Sequence, residues 1–199
     1  MNCYKCNRLL ETIWSFCPYC GTEVCSDYFI DSRDGERYRT IKIGSQIWMA
    51  ENLRYKCDGA HPYKQKNDLS FVKEYGLLYD WETAKEAAPK GWHLPSWEEL
   101  KQLEECVGGV NLLKKKGAWK KFSNNFFGFD VLPAGCSAQG YDFGLGKFAL
   151  FWTSSGEGFN SKESFFEIGN MDYDELGDSF ITSASIRLVK DECGCEGTP

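Results

Sequence analysis

The sequence predicts an α+β fold preceded by a small metal-stapled unit, and three observations carry that reading. A β-hairpin pattern is followed by two helical patterns. Short aromatic strand candidates, broken by glycine and long irregular loops, come after them. That order of strands, helices and further strands reads as α+β. The first two dozen residues instead hold two Cys-x-x-Cys pairs and too little apolar surface for a core of their own.

The chain has 199 residues, 42% hydrophobic and 26% charged, with an aromatic excess of seven Trp, ten Tyr and fourteen Phe. That length can bury a real core without a scaffold of disulfides. A formal charge of -6 argues against broad nucleic-acid binding and leaves only a local basic patch open. The opening Met-Asn-Cys-Tyr-Lys-Cys has no apolar core of a secretory signal, and no run approaches the ~18–20 apolar residues of a membrane span. The expectation is a cytoplasmic protein with no membrane partner. In that compartment clustered cysteines bind metal more often than they form disulfides, which bears on the ten Cys here.

Within residues 1–24, Cys3-Tyr-Lys-Cys6 and Cys17-Pro-Tyr-Cys20 are two knuckles separated by ten residues. Each knuckle presents two thiolates to one ion, and together they complete the closed tetrahedral S4 shell of structural Zn2+. Leu9, Ile13, Trp14 and Phe16 supply a little apolar cover, so metal binding would supply much of the segment's folding free energy. The four ligands leave no open position for catalysis. Two disulfides or a redox Cys-x-x-Cys explain the paired spacing less well. The segment resembles the short bacterial zinc-ribbon family, although Asn7 stands where a glycine is usual.

Residues 25–30 read as a linker, residues 31–191 as the main domain and residues 192–199 as a flexible tail. Asp31-Ser-Arg-Asp-Gly35 is a turn signal. Arg37 to Ile43 and Gln46 to Ala50, joined by Gly44-Ser45, form a β-hairpin. Lys56 to Lys73 is polar and aperiodic and reads as a long loop. After a short strand at Gly76 to Tyr79, Asp80 caps a helix from Trp81 to Ala88, which Pro89-Lys-Gly91 ends. Ser96-Trp-Glu-Glu99 is a capping box opening a second helix through Val107, with Leu100, Leu103 and Val107 on its buried face and Gly108-Gly109 at its end. A final strand spans Ser183 to Val189.

Several of these segments together carry a family likeness. Tyr38-x-Thr40-x-Lys42-Ile-Gly44, Trp48-Met-Ala-Glu-Asn-Leu53, Tyr75-Gly-Leu-Leu-Tyr79, Gly91-Trp-His-Leu-Pro-Ser96, Leu132-Pro-Ala-Gly135, Phe151-Trp-Thr-Ser-Ser155 and Ser185-Ile-Arg-Leu-Val-Lys190 resemble the Fibrobacter succinogenes major paralogous domain. The likeness covers Phe29 to Asp191. It implies a C-type-lectin-like fold, in the branch shared with formylglycine-generating enzymes: a twisted, mostly antiparallel sheet with two helices and one loop-rich face. Members are mostly secreted or surface-associated. Here a ribbon stands in place of an export signal, and Leu188 stands where members commonly have Cys, which agrees with a reducing compartment.

Chemistry-bearing residues outside the ribbon are few. His93 reads as a partly buried residue bonded to backbone, and His61 as solvated beside Pro62. Cys25, Cys57, Cys106, Cys136, Cys193 and Cys195 read as free thiols, with Cys106 packed. Lys114 to Lys121 sets five Lys around Trp119; a solvated loop is weighed there against phosphate and base contacts. Asp172, Asp174, Glu175 and Asp178 fit no defined calcium loop. The leading expectation is a non-enzymatic recognition module for a protein ligand, ahead of a glycan. Its ligand face, by resemblance, lies between Trp152 and Tyr173, with Gly156, Glu157, Phe159 and Asn160 between them. A formylglycine-generating-type oxidase or transferase is the runner-up, and nucleic-acid engagement by the ribbon and the lysine run ranks third.

Overall fold

The computed structural model describes residues 19, 28–64, 68–120, 127–156, 164–169 and 180–191. Strands β1 (Tyr28–Ile30), β2 (Arg37–Ile43) and β3 (Gln46–Met49) open the fold as an antiparallel meander. Then come β4 (Ala60–His61), α1 (Leu69–Tyr75), β5 (Leu78–Tyr79), α2 (Trp81–Glu86), β6 (Trp92–His93) and α3 (Trp97–Val107). A 3-10 turn at Val110–Leu113 leads to β7 (Cys136–Ala138), β8 (Tyr141–Phe143), β9 (Phe148–Trp152), β10 (Phe165–Gly169), β11 (Ile181–Ser183) and β12 (Val189–Lys190). Among the described residues the largest sheet has the order β1-β2-β3-β12-β6 with antiparallel neighbours throughout. The smaller sheets, β10-β9, β11-β7-β8 and β4-β5, are antiparallel too, so the class is α+β.

The predicted hairpin forms as read. Gly44-Ser45 closes β2 on β3 with Ile43 opposite Gln46. The Asp31 turn closes through its carbonyl, which accepts from the Gly35 N–H at 2.8 Å, and through its carboxylate, which pairs with Arg33 at 2.7 Å. Burial pushes Asp31 up, but the hydrogen bonds and charge of Arg33 outweigh it and hold the carboxyl below its usual value. Alternation along β3 sends Trp48 and Met49 to opposite faces, and both are fully buried. Trp48 joins a core with Leu100, Leu103 and Val107 of α3, while Met49 joins a second core with Tyr38, Leu53 and Trp152. Strand β9 divides its side chains the same way: Phe148, Leu150 and Trp152 face one core, Ala149 and Phe151 the other. A continuous apolar run is what a strand buried on both sides requires.

Helix α3 forms as predicted. Ser96 Oγ accepts from the Glu99 N–H, and Glu99 Oε2 accepts in return from the Ser96 N–H at 2.7 Å. Gly108, left-handed at φ 76°, ends the helix.

Four expectations change. Tyr28–Ile30 is a strand on β2 rather than linker, because Phe29 packs on Trp92 with ring centroids 5.1 Å apart. The stretch expected as a loop from Lys56 to Lys73 contains β4 and the start of α1, which Asp68 caps by accepting from the Phe71 N–H at 2.9 Å. Three α-helices are thus described, not two. The last strand is split: β11 ends at Ser183, Ala184 bridges to Tyr79, Ser185 bridges to Phe151, and β12 starts at Val189. One segment that serves three neighbours in turn cannot stay in a single ladder.

Candidate functional site

In Ser185-Ile-Arg-Leu188, Ile186 and Leu188 enter one core, yet Arg187 between them is buried as well. Its guanidinium has a built shell. Nε donates to Asn52 Oδ1 at 3.0 Å, one terminal nitrogen to the Phe129 carbonyl and the other to the Asp130 carbonyl at 3.1 Å. The guanidinium also lies 4.6 Å from the Phe129 ring centroid. Asn52 is itself fixed, donating to the Tyr75 carbonyl at 2.9 Å and to Ser185 Oγ at 3.4 Å. Burial lowers the Arg187 pKa to about 9, so it remains a cation at neutral pH.

Arg187 lines a groove of about 410 Å³ bounded by Arg37, Arg39 and Arg54, by Lys73 and Glu74 of α1, and by Glu51, Lys115 and Asp130. The strand period explains the first wall: Tyr38 points into the core, so Arg37 and Arg39, two residues apart, point out together. The Arg54 guanidinium carbon lies 4.3 Å over the Tyr38 ring centroid, and the side chain pairs with Glu36 at 2.6 Å and Glu51 at 2.8 Å. Arg39 bridges Glu51 at 3.2 Å and Asp130 at 2.5 Å. Burial raises the Glu51 carboxyl, but its bonds from Arg54 and Arg39 outweigh that and leave it below its ordinary value. Lys115 pairs with Glu74 at 3.1 Å. Arg37 stacks over Tyr28 at 3.6 Å, and among the described residues neither Arg37 nor Lys73 has an ion pair. The groove is therefore a polar surface most of whose charged side chains, Lys73 apart, are already held by partners.

The residues singled out in the sequence fall elsewhere. Trp152, expected on the ligand face, is fully buried and donates through Nε1 to the Tyr79 carbonyl at 2.7 Å, so it is a core residue. Gly156 lies where a Cβ would fall 1.8 Å from Ser164 Oγ, a close approach that only glycine permits. The Thr-Ser-Ser segment between them holds the entry to α3: the Ser154 N–H donates to the Pro95 carbonyl, and Ser155 Oγ accepts from the Trp97 N–H, both at 2.8 Å. Glu157, Phe159, Asn160 and Tyr173 lie outside the described residues, as do Cys3, Cys6, Cys17, Cys20, Cys25, Cys193, Cys195 and the acidic cluster from Asp172 to Asp178. Among the described residues no group of three or more His, Cys, Asp or Glu side chains is placed to hold a metal ion.

His93 does not bond to backbone as expected. Nδ1 lies 2.6 Å from Asp191 Oδ1 and Nε2 2.8 Å from Glu99 Oε1, because β6 brings the ring between the end of β12 and the first turn of α3. His61 is not simply solvated either: its Nε2 is 3.0 Å from Ser183 Oγ, since β4 and Ala184 both bond to β5. Cys136 is buried, and burial raises its pKa far above that of a reactive thiol. Cys106, expected packed, is exposed. In the lysine run, Lys114 is buried with its ammonium 4.5 Å from the Trp119 ring centroid, and Trp119 donates to the Val131 carbonyl at 2.8 Å. The groove itself went unrecognised in the sequence. Its nearest signals were the exposed Arg-Tyr-Arg alternation and the Asn and Arg inside the two motif segments.

The chain matches no curated protein and no solved structure. The model of one family, the Fibrobacter succinogenes major domain, matches residues 41–190, a span that holds Asn52, Arg187 and most of the groove wall. Strand β3, the capped α3 and the buried Asn52–Arg187 pair are thus built from the matched segment, and the chain belongs to the Fibrobacter succinogenes major domain family.

Proposed function

We propose that this protein is a non-enzymatic recognition module whose binding face is the groove floored by Arg187, and that its ligand is another protein, ahead of a glycan. The observation that carries the reading is a concave polar surface most of whose charged side chains are held before any ligand arrives. Arg54 is locked by two carboxylates and a ring, Arg39 by two carboxylates, and Arg187 by an amide and two carbonyls. Preorganised groups lose little side-chain entropy on binding. The C-type-lectin-like architecture belongs to the same proposal. The antiparallel main sheet supports it, as does the family resemblance of the motifs.

The ribbon is proposed as a structural zinc site on the chemistry of its donors, four thiolates in two Cys-x-x-Cys pairs. Reduced thiolates fit a cytoplasmic location, which is proposed with it. A thiol-dependent enzyme is the less favoured reading, because Cys136 is buried and held in its protonated form. Nucleic-acid binding through the lysine run is less favoured because Trp119 is already packed and hydrogen-bonded.

The test is a random-peptide selection on the full chain, counter-screened on the double variant Arg37→Glu/Lys73→Glu. Both side chains are exposed, so the variant should fold. Peptides that bind the native chain and lose binding to the variant support recognition at the groove. A selection yielding nothing that discriminates the two proteins would sink it.

A further inference from the structure

Resting on the recognition reading, we infer that the groove selects an acidic segment of its protein ligand, with Asp or Glu carboxylates seated against Arg37, Lys73 and Arg187. Among the described residues the lining holds six cationic side chains and three carboxylates, in a chain whose formal charge is -6. A local excess of positive charge in a concave wall on an otherwise acidic protein focuses the field there and draws in anions.

Three of the six cations carry that excess. The carboxylates of the lining are bonded to Arg39, Arg54 and Lys115. Arg37 stands exposed on Tyr28 and Lys73 exposed on α1, and among the described residues neither is ion-paired. Arg187 is bonded to an amide and two carbonyls and, among the described residues, to no carboxylate. A guanidinium offers five N–H donors. Three of those on Arg187 are engaged, which leaves two without an acceptor among the described residues. A buried cation with donors to spare and no counter-ion bond matches an incoming carboxylate, since charge-assisted hydrogen bonds strengthen away from water.

The same lining disfavours a nucleic acid. Glu51, Glu74 and Asp130 interrupt the cations and would repel a continuous row of phosphates, whereas a peptide can space its carboxylates to avoid them. Among the described residues no aromatic side chain lines the groove, so none of them can stack an unpaired base there.

The experiment titrates the full chain with three fluorescent probes: a decapeptide of alternating Glu and Ser, its Gln–Ser counterpart, and a decathymidylate. The expected result is binding of the Glu–Ser peptide at least about tenfold tighter than the Gln–Ser peptide. That binding should weaken severalfold between about 50 and 300 mM salt as charges are screened. It should weaken about tenfold or more in Arg37→Glu/Lys73→Glu, and by a smaller factor in Arg37→Gln/Lys73→Gln, with both variants checked by thermal unfolding. Equal affinity for the Glu and Gln peptides, indifference to both variants, or tighter binding of the decathymidylate overturns the inference. If the peptide selection above returns neutral sequences that still depend on the groove, recognition stands and only the acidic ligand fails. If neither experiment finds binding, both fail.

Discussion

At the scale of single residues, two polar constellations carry consequences, one buried around Arg187 and one half-exposed around His93. Arg187 is a charge taken almost out of water, 2% exposed at the groove floor, tolerable because its donors meet Asn52 and two carbonyls. Asn52 in turn needs the Tyr75 carbonyl to hold its amide in the one orientation that accepts from Arg187. Asn52→Ala strips a partner from a buried cation and should cost about 3 kcal/mol, read as a shift in the urea midpoint. An effect under about 1 kcal/mol would mean the pair is not buried as described. His93 is the other constellation. Burial pushes its pKa down, but the bonds and charges of Asp191 and Glu99 outweigh it and raise it above the ordinary value of 6.5. A raised folded-state pKa makes the stabilising contribution complete below about pH 6.5 and removes it as pH rises through the folded value. The stability gap between the native chain and His93→Gln should therefore be widest near pH 6 and shrink toward pH 9, measured by denaturant unfolding across that range.

At the scale of elements, α3 shows how little sequence a well-defined helix needs. Its N-terminus is satisfied reciprocally by Ser96 and Glu99, its C-terminus by Gly108, and its apolar face by Leu100, Leu103 and Val107. The Gly108 N–H donates back to Glu104 and Glu105, closing the last turn. Ser96→Ala removes the cap oxygen and should cost about 1 kcal/mol. Leu103 is 1% exposed inside the core that also holds Trp48 and Phe129, so Leu103→Ala should cost about 3 kcal/mol, transfer and cavity together. Thermal or urea unfolding of the two variants gives the comparison, and a larger effect for Ser96→Ala would contradict this ranking. Strand β9 makes the complementary point. Both of its faces are covered, so its five residues tolerate no polar substitution on either side.

At the scale of the whole molecule, the main sheet lies between two cores, and the groove sits where β2, the segment after β3, α1 and the Asp130 turn meet above Arg187. No helix among the described residues is long and apolar enough to cross a membrane. The proposed zinc site adds a prediction independent of the groove. Purified protein should carry about one zinc per chain by elemental analysis, released by a chelator and absent from Cys17→Ser/Cys20→Ser. Protein that is metal-free when purified under reducing conditions in zinc-supplemented medium would remove the ribbon reading.

By itself the sequence determined the α+β class, the hairpin closed by Gly44-Ser45, both boundaries of α3, the Asp80 cap of α2 and the family. The hairpin, α3 and the α2 cap each depend on contacts within about a dozen residues, where capping, turn chemistry and periodicity are decisive, and the class and family follow from the order of such local signals along the chain. Helix α1 escaped because seven residues with only Val72 buried leave no periodicity to see inside a polar stretch. Only the tertiary structure decided the polar sites. Arg187 reaches Asn52 across 135 positions and the Phe129 carbonyl across 58, and His93 reaches Asp191 across 98. What a charged side chain does depends on which distant segments meet it and how much water they exclude. Those two conditions moved Trp152 from an expected ligand face into the core, and made Arg187 the floor of a groove.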